Sequence, residues 1–387
     1  MNELISQFSL GGAGPSIVIK DSIDIAGMRS VAGSRGLADI APAAQHAEVV
    51  QRLLDANWHI TGKATMHELA FGMTGINDYT GTATNPQAPD RIPGGSSSGS
   101  AAAVGAGLAD AALGTDTGGS IRGPAACCGV IGLKPTFGRV SRRGAAPQQS
   151  TLDCVGPFAR TMPMIVAAMA AITPDFDTSA ASATQIDGRP FRLAVCHAKA
   201  DAAIDAAFTA AVQAAVAQAQ VHLSPATLPG MEAAFAAALT IINIETSQAF
   251  GHLTGKGMLG ADLEARLVAA ATTSASDVAA AERVRKRFTD EVDALLESVD
   301  VLVLPTLPSL PITVAQARAG ASVIGVSSLI RPFNLSGHPA ITVPMPVAGE
   351  TIKAGLQIVG RHGDDELVCA VAAVFEKALQ ASGTERG

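Results

Sequence analysis

A chain of 387 residues with 48% hydrophobic and 16% charged residues can bury a large core, and its composition is not that of a disordered polypeptide. Aromatic residues make up only 4%, so Ala, Val, Ile and Leu must build that core. A net charge of −7 supplies no broad cationic footprint for phosphates, which excludes a dedicated nucleic-acid binder; the basic runs at 141–143 and 283–287 read as solvated faces.

In chain order, residues 16–19 (Ser-Ile-Val-Ile) read as a short buried strand that ends at Lys20. Residues 47–56 carry Val49, Val50, Leu53 and Leu54 at helical spacing, and 58–60 read as the next strand before a turn at Gly62. Residues 85–95 are a loop by their Asn-Pro and Pro-Gly-Gly punctuation. An Ala-rich helix is expected over 99–109 and a strand over 111–113. This alternation predicts an α/β fold. Residues 173–190 form a polar connection, a surface loop or a weak linker, followed by a strand over 191–195. Ile204, Phe208, Val212 and Val216 recur every four residues and predict an amphipathic helix. A long helical region follows over 261–298, then a strand over 301–304 stopped by Pro305. Strands over 340–343 and 355–359 and a helix over 364–381 complete the chain.

Five cysteines, an odd number without CxxC spacing, argue against a disulfide framework or a zinc site and for a reducing cytoplasm. The first residues hold no apolar segment of signal-peptide length. The longest apolar run, near 164–172, is too short to span a bilayer. The expected setting is cytoplasmic, without a membrane partner.

A glycine-serine turn that feeds a helix occurs twice, at 94–99 and at 114–120. In the second, Thr117-Gly118-Gly119-Ser120, glycines let a reactant approach the backbone. The first N–H groups of a helix lack intrahelical partners and can gather on one negative charge. No GxxxxGK[ST] pattern is present, which leaves the oxyanion of an acyl transfer as the charge to be stabilised and Ser120 as a nucleophile. The alternative is a helix-capping serine. A nucleophilic serine needs a base. Of the eight histidines, His338 is the least easily set aside, and Lys20 is the other candidate, carried inward by its apolar strand.

The segments "VIKDSIDIAGMRSVAGS", "NPQAPDRIPGGSSSGSAAAV", "GTDTGGSIRGPAACCGVIGLKPTFGRVS" and "STLDCVGPFART" occur in this order. Together with "DVLVLPTLPSLP", "PFNLSGHPAITVP" and "GLQIVG", they resemble the amidase signature family over residues 15–380 or so. The resemblance implies a Ser-Ser-Lys triad. Ser120 would be acylated, Ser96 would bridge from a cis peptide link, and Lys20 would be the base. The two serines are 24 residues apart, as the family requires (120 − 96 = 24). The N–H groups of Thr117, Gly118, Gly119 and Ser120 would form an oxyanion hole. Asp116 and Arg122, as an ion pair, and Ser97 would support the loop. Met73, Thr74 and Gly75 resemble a substrate-facing wall. Cys154, otherwise a small buried hydrophobe, and Arg331, otherwise a surface arginine, are further candidates for substrate contact, Arg331 toward a carboxylate.

A free lysine is neutral in only about one molecule in 2,500 at pH 7, and lowering its pKa to about 7 takes roughly 4–5 kcal/mol. Burial without a carboxylate partner supplies that order. Asp21 adjoins Lys20, but adjacent strand residues point to opposite faces.

The expected architecture is a single α/β/α sandwich domain over 1–387 with a large mixed, twisted sheet and both serine loops at one sheet edge. Residues 15–172 would carry the triad, and 191–387 the remainder of the domain. The expected activity is hydrolysis of a small non-peptide amide through an acyl-enzyme, with no metal or organic cofactor. A second copy of the chain is the one protein partner entertained. Three alternatives stand beside this reading. One is the amidase subunit of a tRNA-dependent amidotransferase, against which the −7 charge and the 19 residues before Lys20, fewer than family members usually carry, both weigh. Another is an α/β-hydrolase esterase using Ser97 and His338, since 95–99 match G-x-S-x-G. The last is an inactive binding homologue.

Overall fold

The computed structural model describes residues 2–219 and 221–384. Eleven strands join in one sheet among the described residues: β1 (Leu4–Gly11), β2 (Ser16–Lys20), β3 (His59–Ala64), β4 (Ala111–Asp116), β5 (Ile131–Lys134), β6 (Cys154–Ala159), β7 (Arg192–Cys196), β8 (His222–Ala226), β9 (Val301–Pro305), β10 (Ala340–Pro346) and β11 (Lys353–Val359). Their order across the sheet is β1-β3-β2-β4-β6-β5-β10-β11-β9-β7-β8. β2 runs parallel to β3 and β4, and β7 runs parallel to β8 and β9. The pairs between these two parallel groups are antiparallel, as is β1 with β3. Parallel neighbours need a crossover. Helix α1 (Glu48–Asp55) supplies it between β2 and β3.

The remaining helices are α2 (Ser98–Gly105), α3 (Arg122–Cys128), α4 (Met162–Ile172), α5 (Ala202–Ala219), α6 (Met231–Phe250), α7 (Ala261–Ala270), α8 (Ala275–Ser298), α9 (Val314–Arg318), α10 (Pro332–Leu335) and α11 (Asp365–Thr384). Strand alternation sends Ile17, Ile19, Leu113 and Ile341 into one layer, against α1, α4, α5 and α11. Val18 and Ala112 point the other way, toward α2 and α3, while Leu302 and Leu304 meet α6 and α8. The result is the expected α/β/α sandwich with a mixed sheet.

Several sequence expectations are corrected here. The helix expected over 99–109 ends at Gly105, and Gly107 turns the chain at a φ of +74° into β4. The 261–298 region is two helices, because Ser274 caps α8 reciprocally with Asp277. In α5, Ile204, Phe208 and Val212 are buried but Val216 is 37% exposed. Three steps of four residues rotate by about 120° off the starting face, so the stripe passes to Ala211 and Ala215 instead. α5 is long and apolar enough to cross a bilayer by composition, yet its buried residues pack into the sheet's core. Segment 173–190 lies over the surface, strapped to the start of β9 where Arg189 pairs with Asp300 at 2.7 Å. Strands β1, β5, β6 and β8 and helices α4, α6, α9 and α10 have no counterpart in the sequence reading.

Candidate active site

Lys20 ends β2, and Thr115 and Asp116 end β4. These strands are parallel neighbours, so both finish on the same side of the sheet. The two glycine-serine turns gather over those carboxyl ends. The expectation of a sheet edge is therefore corrected: β4 lies fourth of eleven, between β2 and β6. Strand ends leave a crevice that strand sides, closed by their neighbours, do not.

Lys20 is fully buried. Its ammonium nitrogen lies 2.8 Å from Ser96 Oγ and 2.7 Å from Thr115 Oγ1. Burial draws its pKa down to about 7, against the weaker upward pull of the Asp153 and Asp116 charges. Asp21 turns to the opposite face as alternation requires, where it lies 3.0 Å from Lys63.

The Gly95–Ser96 peptide is cis. Ser96 is fully buried, and its carbonyl accepts from the His67 N–H at 2.9 Å. A Cβ on Gly95 would stand 2.7 Å from Gly72 O and 2.8 Å from Gly75 N, so the 72–75 segment packs directly on this turn. That is where the predicted wall of Met73, Thr74 and Gly75 lies; Met73 also packs against Ile330 and Cys127. Ser97 points elsewhere. Its hydroxyl donates to Thr115 O at 3.2 Å and accepts from Thr115 N at 3.3 Å, and its own N–H donates to Ser120 O at 3.3 Å. Ser97 thus fastens both turns to β4.

Ser120 is 4% exposed. Beside it, Gly119 adopts a φ of +112°, and a Cβ there would meet Ile330 Cδ1 at 2.1 Å, so no other residue fits. Asp116 and Arg122 form the expected ion pair, at 3.0 Å and fully buried. Every Arg122 nitrogen has a partner: Asp116, Ile330 O, Gln357 Oε1 and Asn334 Oδ1. Asp116 also accepts from the N–H groups of Gly119, Ile121 and Arg122 and from Asn334 Nδ2. Burial alone would raise its carboxyl pKa, but Arg122 and Asn334 outweigh burial and hold it well below the usual range. One predicted oxyanion donor is affected: the Gly119 N–H is spent on Asp116 at 2.8 Å. The N–H groups of Thr117, Gly118 and Ser120 donate to no acceptor among the described residues. The side chain of Thr117 is held by Asp153 at 2.8 Å, and Asp153 by Arg142 at 2.9 Å.

Sequence reasoning missed Thr115, Asp153, Asn334 and His67. The first three stand inside the segments that carry the resemblance, beside residues with a more telling local pattern. His67 has a ring pKa near 3, pulled down by burial and then by the charges of Arg266 and Lys20, so it is neutral beside the site. Its Nδ1 lies 3.4 Å from Thr74 Oγ1. Cys154 is drawn under the loop instead of toward the crevice: its thiol lies 3.8 Å from Lys134 Nζ, and burial raises its pKa to about 11. His338 bonds Ser336 and Asp293 at 2.9 Å and stacks on His362 at 4.0 Å. Asp293, His338 and His362 bring ligand-type atoms within 4.8 Å of one another, but His338 bonds Asp293, His362 bonds Ser336 O, and neither serine turn is among their partners.

A mixed α/β/α sandwich with a buried lysine and two serines gathered at its strand ends marks a serine-type hydrolase. The chain belongs to the amidase signature family: the family model Amidase matches residues 13–369. It is 33% identical to a glutamyl-tRNA(Gln) amidotransferase subunit of Synechococcus sp. (strain RCC307), over 95% of this chain and 84% of that one. It is 32% identical to a fatty acid amide hydrolase of Medicago truncatula, over 93% and 64% of the respective chains. Among solved structures, it superimposes with a TM-score of 0.86 on a chain of a vestigial complex linked to the origins of an s-triazine catabolic enzyme. That match has 28% identity and covers 97% of this chain and 85% of the other. The protein is accordingly a hydrolase of carbon–nitrogen amide bonds.

Proposed function

We propose that the protein cleaves a small, non-peptide carboxylic amide to the acid and ammonia or an amine, through an acyl-enzyme on Ser120. The observation that carries this reading is Lys20: dry, half-neutral near pH 7 and hydrogen-bonded to Ser96 at 2.8 Å. Neutral Lys20 takes the Ser96 proton while Ser96 takes that of Ser120. Ser120 Oγ bonds to the amide carbon, and the oxyanion meets the N–H groups of Thr117, Gly118 and Ser120. The proton returns by the same relay to the leaving nitrogen as the C–N bond breaks. Water, deprotonated by the same relay, then cleaves the ester and restores Ser120. Asp116, Arg122 and Ser97 hold the two turns in register for this transfer.

Ammonia release across a panel of aliphatic, aromatic and carboxylated amides tests the reading. Ser120→Ala is expected to abolish it; retained turnover in that variant would refute the assignment. The esterase scheme fits poorly, because the Ser97 hydroxyl is engaged on Thr115 and both His338 ring nitrogens are engaged elsewhere.

A second reading is favoured by the relatives named as glutamyl-tRNA(Gln) amidotransferase subunits, which are 30–33% identical over 94–97% of this chain. The plant amide hydrolase stands at 32%, so identity does not separate the two readings. Copurification with partner proteins and glutamine-dependent ammonia release would favour the amidotransferase.

A further inference from the structure

Arg331 is a buried charge without a partner. It is 7% exposed, and its Nε and Nη1 find no hydrogen-bond acceptor. Its guanidinium lies over the Phe235 ring at 4.5 Å, which shields one face without neutralising it. Burial, and then the nearby charge of Arg266, pull its pKa down to about 10. It remains protonated at neutral pH, so a full positive charge sits buried with two donors that meet no protein acceptor. Such a residue is destabilising unless something else supplies the acceptor.

Its position says where that acceptor would come from. A Cβ on Gly118 would stand 3.2 Å from Arg331 Nε, so the guanidinium rests directly against the turn that carries Ser120. The backbone on either side is bolted to the same turn: Ile330 O accepts from Arg122 at 2.7 Å, and Asn334 Nδ2 donates to Asp116 O at 2.7 Å. Arg331 is therefore presented to the site by a rigid frame. A narrow cleft lies on the Thr117 side of this turn, with Thr117, Ile242 and Glu245 in its wall. Ile242 also abuts Gly118, within 2.9 Å of the same would-be Cβ. The acid on that wall, Glu245, is already held by Ser150 and by the N–H and hydroxyl of Thr151 at 2.7–2.9 Å. Arg266, stacked on Phe71 at 4.2 Å and 3.8 Å from Asp262, adds a second positive charge to the field.

We infer that the substrate is a short amide with a carboxylate on its acyl side, and that Arg331 binds that carboxylate. The inference rests on the amidase reading above and adds the substrate's charge to it. Contact with Gly118 puts the anion close to the scissile carbonyl, which fits a linker of one to three carbons. The added positive charge of Arg266 favours a simple anion over a zwitterion such as glutamine, whose ammonium would enter the same field.

The test compares succinamate with its neutral isostere 4-oxopentanamide. The wild type is expected to prefer succinamate by about 30-fold in kcat/KM, and Arg331→Met to bring that ratio near parity. Arg331→Lys should restore part of the preference. Succinate binding to Ser120→Ala, followed by calorimetry, should weaken about 30-fold when Arg331→Met is added. Unliganded Arg331→Met should melt about 2 °C or more above wild type, because a lone buried charge is gone. Equal rates on the two amides in the wild type would overturn the inference, as would equal losses on both in the variant or succinate binding indifferent to Arg331. If 4-oxopentanamide is cleaved but succinate is not bound, the amidase reading stands and the carboxylate site falls. If succinate binds through Arg331 but no amide is cleaved, the reverse holds.

Discussion

The two faces of the sheet at β2 and β3 each bury a lysine, and the two are set up in opposite ways. Lys63 pairs across the register with Ile19, and Lys20 with Ala64, so the side chains leave the sheet on opposite sides. Lys63 meets Asp21 at 3.0 Å, Arg29 O at 2.8 Å and Ser30 Oγ at 3.0 Å. Lys20 meets two hydroxyls and no carboxylate within hydrogen-bond reach. Both are buried. The difference lies in where alternation sends one acid: Asp21 follows Lys20 in sequence and serves Lys63. Of these two, only Lys20 lacks a carboxylate partner, and burial draws its pKa down to about 7.

Replacing Lys20 should have the largest effect. Lys20→Met is expected to lower kcat by roughly 10³–10⁴-fold, the worth of a positioned general base. The same change should stabilise the fold. The folded pKa is about 7 against an ordinary value of 10.5, so between these values the unfolded chain binds more protons and wild-type stability rises with pH. Below pH 7 the cost of holding the charge is complete, about 4–5 kcal/mol. Denaturant titrations at pH 6 and pH 9 should show a steeper rise in wild type than in Lys20→Met, where buried Lys134, its pKa also lowered by burial, still contributes. Equal slopes would mean that Lys20 is not desolvated.

On the other face, Lys63→Met should lower stability by about 3–5 kcal/mol, because it strands a buried carboxylate. The burial of Asp21 already pushes its pKa upward, with Lys63 opposing the rise. Adding Asp21→Asn should recover much of the loss, and turnover at permissive temperature should stay near wild type. A Lys63→Met enzyme as inactive as Lys20→Met would erase the contrast between the faces. The smallest effect is expected from Ser97→Ala, about 1 kcal/mol from its Thr115 bonds and a few-fold in kcat. Complete loss of turnover there would favour the rival nucleophile.

Much of this arrangement is legible in the chain itself. Lys20, Ser96 and Ser120 stand out because three separate segments carry a shared pattern, and the Lys20–Asp21 divergence follows from strand alternation. The 117–120 turn reads in sequence as four oxyanion donors, but Asp116, three residues before Gly119, captures one of them. Sequence spacing places Asp116 near the turn without saying which N–H it takes. Asn334 and Gln357 hold Arg122 from more than 200 positions away, a contact that no local pattern encodes. The sheet is misjudged where periodicity is weak: β5 and β6 are buried at every position, so they show no alternation to read. Arg331 reads in sequence as a surface arginine or one toward a carboxylate; its burial and its lack of protein partners are visible only once Ile330 and Asn334 are seen to turn toward Arg122 and Asp116 instead.

The central claim is that an uncharged Lys20 activates Ser120. It is tested most directly by the pH dependence of covalent labelling with an alkyl fluorophosphonate, the modified residue being mapped by peptide mass spectrometry. The label is expected on Ser120, at a rate that rises tenfold per pH unit below about pH 7, levels above it, and collapses in Lys20→Met. Labelling of Ser97, or a Ser120 rate that ignores both pH and Lys20, would contradict the account.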